Sequence, residues 1–194
     1  IKKVNREQNH LKILGFGIGA PNGNYYKGTV ENAPNLKWKG KIEFAKMMYE
    51  KTGIRAYLTN DANAAAIGEK VFGNAKNMND FIIITLGTGL GSGIFCGGKL
   101  LYGSTGFAGE LGHTIVIENG RLCGCTRHGC LETYTSATGI VRTVIEKLSE
   151  GSADSVLRNY KAEEITSKLI YESAVAGDKL ALEAFEYTGE ILGK

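Results

Sequence analysis

An α/β fold with parallel strands is the architecture this sequence predicts, and three observations carry it. Apolar runs short enough for strands, Leu11 to Ile18 and Arg55 to Thr59, flank a helical stretch from Ile42 to Lys51, so strand, helix and strand follow one another. Both runs end in loop or helix-start residues, Gly17-Ile18-Gly19-Ala20-Pro21-Asn22-Gly23 and Asn60-Asp61-Ala62-Asn63, as strands of open α/β sheets do. With 194 residues, 43% of them hydrophobic, the chain is long enough to bury a core of its own.

Each element has a local reason. LKILGFGI is an apolar strand entering a glycine-rich loop, and Gly28 to Lys39 reads as an irregular crossing that carries Pro34 and the only tryptophan, Trp38. Gly53 closes the helix over 42–51 as a C-terminal cap. RAYLT makes the second strand, and the alanine-rich run from Asn60 starts a second helix. Phe81 to Leu86 (FIIITL) is a third strand, followed by Gly87-Thr88-Gly89-Leu90-Gly91-Ser92-Gly93, then Ile94 to Cys96, a Gly97-Gly98 hairpin turn and Lys99 to Tyr102. Leu180, Ala184, Tyr187 and Ile191 stand at helical spacing in a final helix over 178–194.

The glycine run at 87–93 invites a nucleotide reading, and its register decides how far that goes. Counted from Gly87 or Gly89, the sixth position is Ser92 or Ile94, so G-x-G-x-x-G is not satisfied, and no Gly-Lys-Ser/Thr follows. What remains is a tight turn between antiparallel strands. Its amides can approach an anion, with hydroxyls from Thr88 and Ser92, or it is simply a turn. Asp61 has the same two readings: a carboxylate before a helix is a good N-cap, and the carboxyl end of a parallel strand is where such sheets hold ligands.

Composition excludes several classes. The net charge of +3 is spread over interspersed Lys and Arg without a basic run, so neither nucleic acid nor an anionic membrane is an expected partner. No apolar stretch approaches the ~18 residues of a membrane span. Neither end looks like a natural terminus: the start lacks Met and a signal-peptide core, and the last helix stops at Leu192-Gly193-Lys194 without a following element, so a fragment of a longer, cytoplasmic protein is expected.

Three of the four cysteines fall within eight residues, Cys123, Cys125 and Cys130, ten residues after His113. Three sulfurs and one imidazole are the donors of a closed tetrahedral zinc site, structural because no position is left for water. A local disulfide and unligated thiols are the alternatives, and the spacing fits them less well than zinc. His128 would crowd a metal shared with its own loop, and His10 has no partner nearby in sequence; both read as surface histidines. Glu110 and Glu132 bracket the stretch, and zinc requires neither.

Gly17-Ile18-Gly19-Ala20-Pro21, Asn60-Asp61-Ala62-Asn63-Ala64-Ala65, Leu86 to Gly93, Gly109-Glu110-Leu111-Gly112-His113, and Cys123-Gly124-Cys125 with Gly129-Cys130-Leu131-Glu132 together resemble the ROK family, and most of all its bacterial glucokinases. The resemblance implies an actin-like, ribonuclease-H-like ATPase fold of two α/β domains with a cleft between them. Residues 1–59 would be the remainder of the smaller N-terminal domain and 60–194 the larger domain. It implies ATP-dependent phosphorylation of a hexose, glucose by the overall likeness, at its 6-hydroxyl. Asp61 would be the general base, with Asn60, Asp61, Glu110, His113 and Glu132 as sugar ligands. Gly87, Thr88, Gly89 and Gly91 would form a phosphate loop for ATP with Mg²⁺, and His113, Cys123, Cys125 and Cys130 would hold structural zinc. A homo-oligomer, dimer or tetramer, is the expected assembly.

Two departures stand out. Thr126 occupies a place where the family usually has glycine, and the aspartate-and-glycine phosphate motif and the adenosine motif of the family are missing, so this piece should phosphorylate sugars poorly by itself. Sugar-responsive repressors of the same family share the metal motif. The Asn60-Asp61 pair and the Gly-Thr-Gly turn favour a kinase, because a sensor needs neither base nor phosphate cradle. Kinases for N-acetylmannosamine, fructose or allose would offer similar carboxylates.

Overall fold

The computed structural model describes residues 12–33, 36–151 and 154–194; His10 lies outside them. By the density of its contacts the chain divides into two compact units, residues 1–83 with 93–109, and residues 84–92 with 110–194. A later strand returns to the first unit. A Cβ on Gly93 would stand 2.6 Å from the Ala66 Cβ, so glycine alone lets this strand lie against the second helix.

In the first unit, β1 (Phe16–Gly19) pairs in parallel with β5 (Ala56–Thr59), Phe16 opposite Ala56 and Gly19 opposite Thr59. This is the parallel pair the sequence predicts, though β1 is shorter than the run Leu11 to Ile18. Leu11 is outside the described residues, and residues 12–15 are not strand. A strand needs a ladder, and β5 supplies only four partners. Between them runs α1 (Phe44–Thr52), whose C-cap Gly53 is left-handed at φ 67° and donates its N–H to the Tyr49 carbonyl at 2.7 Å.

The crossing over 28–39 is less irregular than its composition predicts. β2 (Gly23–Asn24), β3 (Thr29–Glu31) and β4 (Lys41–Ile42) form an antiparallel sheet, with Val30 opposite both Gly23 and Ile42. Strands of two and three residues leave no alternation to read. Val30, Ala33 and Leu58 are buried together, and Ile18, Ala20, Leu36 and Phe44 pack around them.

α2 (Asp61–Val71) follows β5 directly. β6 (Phe81–Leu86), β7 (Leu90–Cys96) and β8 (Lys99–Leu100) then make a sheet in that order. Phe95 pairs with Leu100 and Cys96 with Lys99 across Gly97-Gly98, both at positive φ (58° and 76°), the two-residue turn the glycine pair predicts.

The second unit is helical beyond its metal-motif loop. α3 (Glu132–Thr135), α4 (Ala137–Ser149), α5 (Ser167–Val175) and α6 (Lys179–Leu192) enclose Ile140, Val144, Leu157, Ile165, Ile170, Leu180, Ala181 and Ala184. Of the positions spaced for the last helix, Leu180, Ala184 and Ile191 are buried. Tyr187 is half-buried, edge-on to Tyr134. Among the described residues no helix is long and apolar enough to cross a membrane.

Asp178 caps α6. Its carboxylate accepts from the N–H of Ala181 (2.9 Å) and of Val156 (2.8 Å), tying the helix to the preceding loop. Burial pushes its pKa up, but these amides and the Ser155 side chain outweigh burial and hold the carboxyl below its ordinary value. A carboxyl lowered by folding adds stability above its unfolded pKa of about 3.9, and that stability is lost as pH falls through the lower folded value. Asp178→Ala is therefore expected to cost about 1–2 kcal/mol near neutral pH. In urea unfolding the gap from wild type should narrow in the acid range; a gap that stays constant down to pH ~2 would contradict the assignment.

Candidate functional site

The metal-motif loop is a hairpin that folds back on itself. Leu122 pairs with His128 and Ile115 with Cys130, and the Gly129 N–H donates to the Arg121 carbonyl at 2.8 Å. At the tip, the Thr126 N–H donates to the Cys123 carbonyl (3.0 Å) and the Cys123 N–H to the Arg127 carbonyl (2.9 Å). The pattern is a tight turn followed by one left-handed residue, the position glycine usually fills in such a bulge. Here that residue is Thr126, at φ 73°.

A β-branched side chain in the left-handed region costs about 1–2 kcal/mol. Glycine would relieve it but would have more freedom to lose on folding, about 0.5–1 kcal/mol. Thr126→Gly is thus expected to raise stability by about 0.5–1 kcal/mol, seen as a small rise in thermal midpoint. A fall would show that the threonine methyl or hydroxyl supplies a compensating contact.

This hairpin, with the single turn of 3₁₀ helix over Leu111–His113, gathers the four predicted ligands. One donor atom from each of His113, Cys123, Cys125 and Cys130 lies within 4.8 Å of the other three. Cys123 Sγ is 3.6 Å from His113 Nδ1, and Cys125 Sγ is 3.6 Å from Cys130 Sγ. Tetrahedral zinc with Zn–S of about 2.3 Å and Zn–N of about 2.0–2.1 Å places its donors about 3.5–3.8 Å apart, so these residues fit the ion. A disulfide needs sulfurs at about 2.05 Å, and all three thiols are free. His128 stands apart, exposed, its Nδ1 on the Gly120 carbonyl at 3.0 Å.

Electrostatics separate the sulfurs. Burial pushes the Cys123 thiol up, helped by the Glu132 side chain, and burial together with Cys125 pushes Cys130 up. Cys125 is brought down to about 6: burial works upward, but the backbone and side chain of Arg127 and the two neighbouring thiols outweigh it.

Glu132, the first residue of α3, reaches both neighbouring features. Oε1 accepts from Cys123 Sγ at 3.0 Å and lies 3.6 Å from His113 Nδ1, while Oε2 accepts the Leu90 N–H at 3.4 Å. The expected sugar ligand thus stands between the predicted metal ligands and the glycine turn. Glu110 is exposed just before the 3₁₀ turn, its carbonyl accepting the His113 N–H at 3.1 Å.

The glycine turn, residues 87–89, is pinned to α4. The Gly87 carbonyl accepts from the Ala137 N–H (2.9 Å) and the Thr88 carbonyl from Thr138 Oγ1 (2.8 Å). Gly87 and Thr88 are exposed, and Gly89 and Gly91 are half-buried. Ser92 is buried, and its hydroxyl accepts the Leu111 N–H at 3.4 Å, so it adds nothing to an anion site at the turn.

Asn60 and Asp61 belong to the first unit. The cap of α2 is Asn60, whose Oδ1 accepts the Asn63 N–H at 2.6 Å. The N-cap reading of Asp61 is therefore corrected by one residue: the chain leaves β5 extended at Asn60 (φ −72°, ψ 164°), which is the conformation a cap needs. Asp61 is the first helical residue, exposed, and among the described residues its carboxylate accepts only from the adjacent Ala62 N–H at 2.9 Å. Asn63 is buried, its amide nitrogen donating to Thr59 Oγ1 at 3.2 Å.

Arg121 is the residue that sequence reasoning misses. Its side chain is 8% exposed and ties the metal loop to the helices. It donates to Glu146 (Nε, 3.0 Å), the Thr133 carbonyl (2.7 Å) and Thr143 Oγ1 (2.9 Å), and stacks over the Tyr134 ring at 4.5 Å. One arginine in a loop has no sequence pattern; its place two residues before Cys123 is the only hint.

A profile of the ROK family matches residues 1–194. The chain is 37% identical to a xylose repressor of Caldicellulosiruptor bescii, over 93% of this chain and 45% of the repressor. It is 36% identical to a glucokinase of Halalkalibacterium halodurans, over 93% of this chain and 56% of that enzyme. It superposes with a TM-score of 0.79 on a ROK family glucokinase from Streptomyces griseus in complex with glucose and AMPPNP, at 36% identity, over 98% of this chain and 62% of that one. The chain spans about half the length of the curated relatives it matches. Its fold is the actin-like ATPase fold of these kinases.

Proposed function

The chain belongs to the ROK family, and from that premise we propose that it forms the sugar-binding part of an ATP-dependent hexose kinase, glucose being the substrate and its 6-hydroxyl the acceptor. The observation that carries the proposal is the division of labour at the head of α2. Asn60 does the capping, which leaves the Asp61 carboxylate exposed at the carboxyl end of a parallel strand, bonded among the described residues only within its own first turn.

In this reading Asp61 accepts the proton of the sugar hydroxyl as it attacks the γ-phosphoryl of ATP, and Asn60, Glu110, His113 and Glu132 bind the sugar. Carboxylates suit hydroxyl-rich ligands because each can accept two hydrogen bonds in fixed directions. The turn at Gly87, Thr88, Gly89 and Gly91 lies against the phosphates of ATP, whose charge Mg²⁺ offsets. Zinc on His113, Cys123, Cys125 and Cys130 supplies rigidity only, having no open position. His113 uses Nδ1 at the cluster, so the metal would fix the ring that also meets the sugar. A cytoplasmic homo-oligomer, with a domain boundary near residue 59 in the whole protein, completes the proposal.

A second reading has its own support: the likeness to a xylose repressor is as strong as that to a glucokinase. A sensor would keep the sugar ligands and the metal but would have no use for Asp61 as a base. Release of ADP by the full-length protein with a panel of hexoses, among them glucose, fructose, allose and N-acetylmannosamine, separates the readings. Turnover with one hexose supports the kinase and identifies its substrate, whereas sugar binding without turnover supports the sensor.

A further inference from the structure

We propose that Thr138 is a positioning residue for the glycine turn: its hydroxyl, together with the first amide of α4, sets the direction of the two backbone N–H groups that meet the phosphates of ATP. The proposal rests on the kinase reading above and adds to it a residue outside the turn.

In a planar trans peptide the C=O and the following N–H point in opposite directions. The Gly87 carbonyl is held by the Ala137 N–H at 2.9 Å, so the Thr88 N–H, in the same peptide plane, faces away from α4. The Thr88 carbonyl is held by Thr138 Oγ1 at 2.8 Å, so the Gly89 N–H faces away as well. Neither of these N–H groups has a partner among the described residues. The amides on either side are already used: Gly87 N–H donates to the Gly89 carbonyl at 3.0 Å and Leu90 N–H to Glu132 Oε2 at 3.4 Å. Two successive free amides turned the same way form an anion-binding concavity.

The hydroxyl matters because the turn's own bond, Gly87 N–H to the Gly89 carbonyl, does not hold the Thr88 carbonyl. Glycine on both sides of Thr88 leaves that peptide free to rotate, and a rotated plane would turn its N–H inward. Thr138 Oγ1 is itself steadied by Ser136 Oγ at 3.1 Å, the N-cap of α4, which accepts the Gly139 N–H at 3.0 Å. Thr138 is exposed and outside the core, so the chain can lose its hydroxyl without a cavity.

The test uses the full-length protein with Thr138→Val, which keeps the shape and removes the hydroxyl, and Thr138→Ser, which keeps the hydroxyl. T138V should raise the KM for ATP roughly 3- to 10-fold, the worth of one hydrogen bond, and leave the KM for the sugar at its wild-type value, while T138S restores the KM for ATP. In ¹⁵N-labelled protein, AMPPNP should shift the amides of Thr88 and Gly89 in wild type and T138S, and less in T138V. A T138V enzyme with wild-type KM for ATP would overturn the assignment, as would ATP and sugar KM rising together in both variants. A wild-type protein that binds sugar but not AMPPNP would overturn the kinase reading and this role with it.

Discussion

Replacement of Asp61 by asparagine is expected to slow sugar phosphorylation by roughly 10²- to 10⁴-fold, the usual worth of a positioned general base. The fold gives this experiment an internal control. Asn60, not Asp61, caps α2, and the asparagine oxygen can still accept the Ala62 N–H that Asp61 Oδ1 now accepts at 2.9 Å. The cost in stability should be limited to the favourable placement of a negative charge in the first turn of a helix, about 0.3–1 kcal/mol. Asp61 is also a proposed sugar ligand, so glucose binding should weaken, but by far less than the rate of phosphoryl transfer. Turnover that persists undiminished in the variant would remove Asp61 as the base. A variant that loses rate only because it unfolds would show itself in its thermal midpoint.

The second large effect is expected on removal of the metal. Four donors from three short stretches converge within 4.8 Å, and two of them, Cys123 and Cys130, are 4% and 0% exposed. Without an ion the packed thiols must stay mostly protonated, Cys123 and Cys130 being pushed up by burial. Chelation, or Cys130→Ser, should therefore loosen the hairpin and with it the position of Glu132, which lies between the cluster and the Leu90 amide. Loss of a structural metal belongs among the largest single effects on stability, on the order of 4 kcal/mol or more. For a chain of this size that corresponds to a fall on the order of 10 °C in unfolding midpoint. Glucose affinity should drop by about 10- to 100-fold, since a ligand's outer supports usually carry that much. Metal analysis should give about one zinc per chain. A metal-free protein with an unchanged midpoint and undiminished sugar binding would contradict the structural role.

What the sequence made legible follows from how local each signal is. Gly53, Gly97-Gly98 and, to within one residue, the run Arg55 to Thr59 are read correctly because a cap, a two-residue turn and a strand are each decided within a few residues. The convergence of His113, Cys123, Cys125 and Cys130 is legible because cysteine is rare and its spacing distinctive. Asn60 and Asp61 are both good caps by type, and only the extended backbone of Asn60 decides between them. The sheet of β2, β3 and β4 is hidden because its strands are too short to show a period. Arg121 and Thr138 act across 25 and 50 residues of chain, and no local pattern announces such partners. Thr126 is the intermediate case: its departure from glycine is visible in the sequence, and its cost becomes clear only with φ at 73°.

The measurement that bears most directly on the kinase proposal is ³¹P NMR of the full-length protein incubated with glucose, ATP and Mg²⁺. The expected result is a growing phosphomonoester signal of glucose phosphorylated at the 6-position, with ADP in equal amount. Saturable glucose binding with no phosphorylated sugar would contradict the kinase and leave the chain as the sugar-sensing half of a regulator.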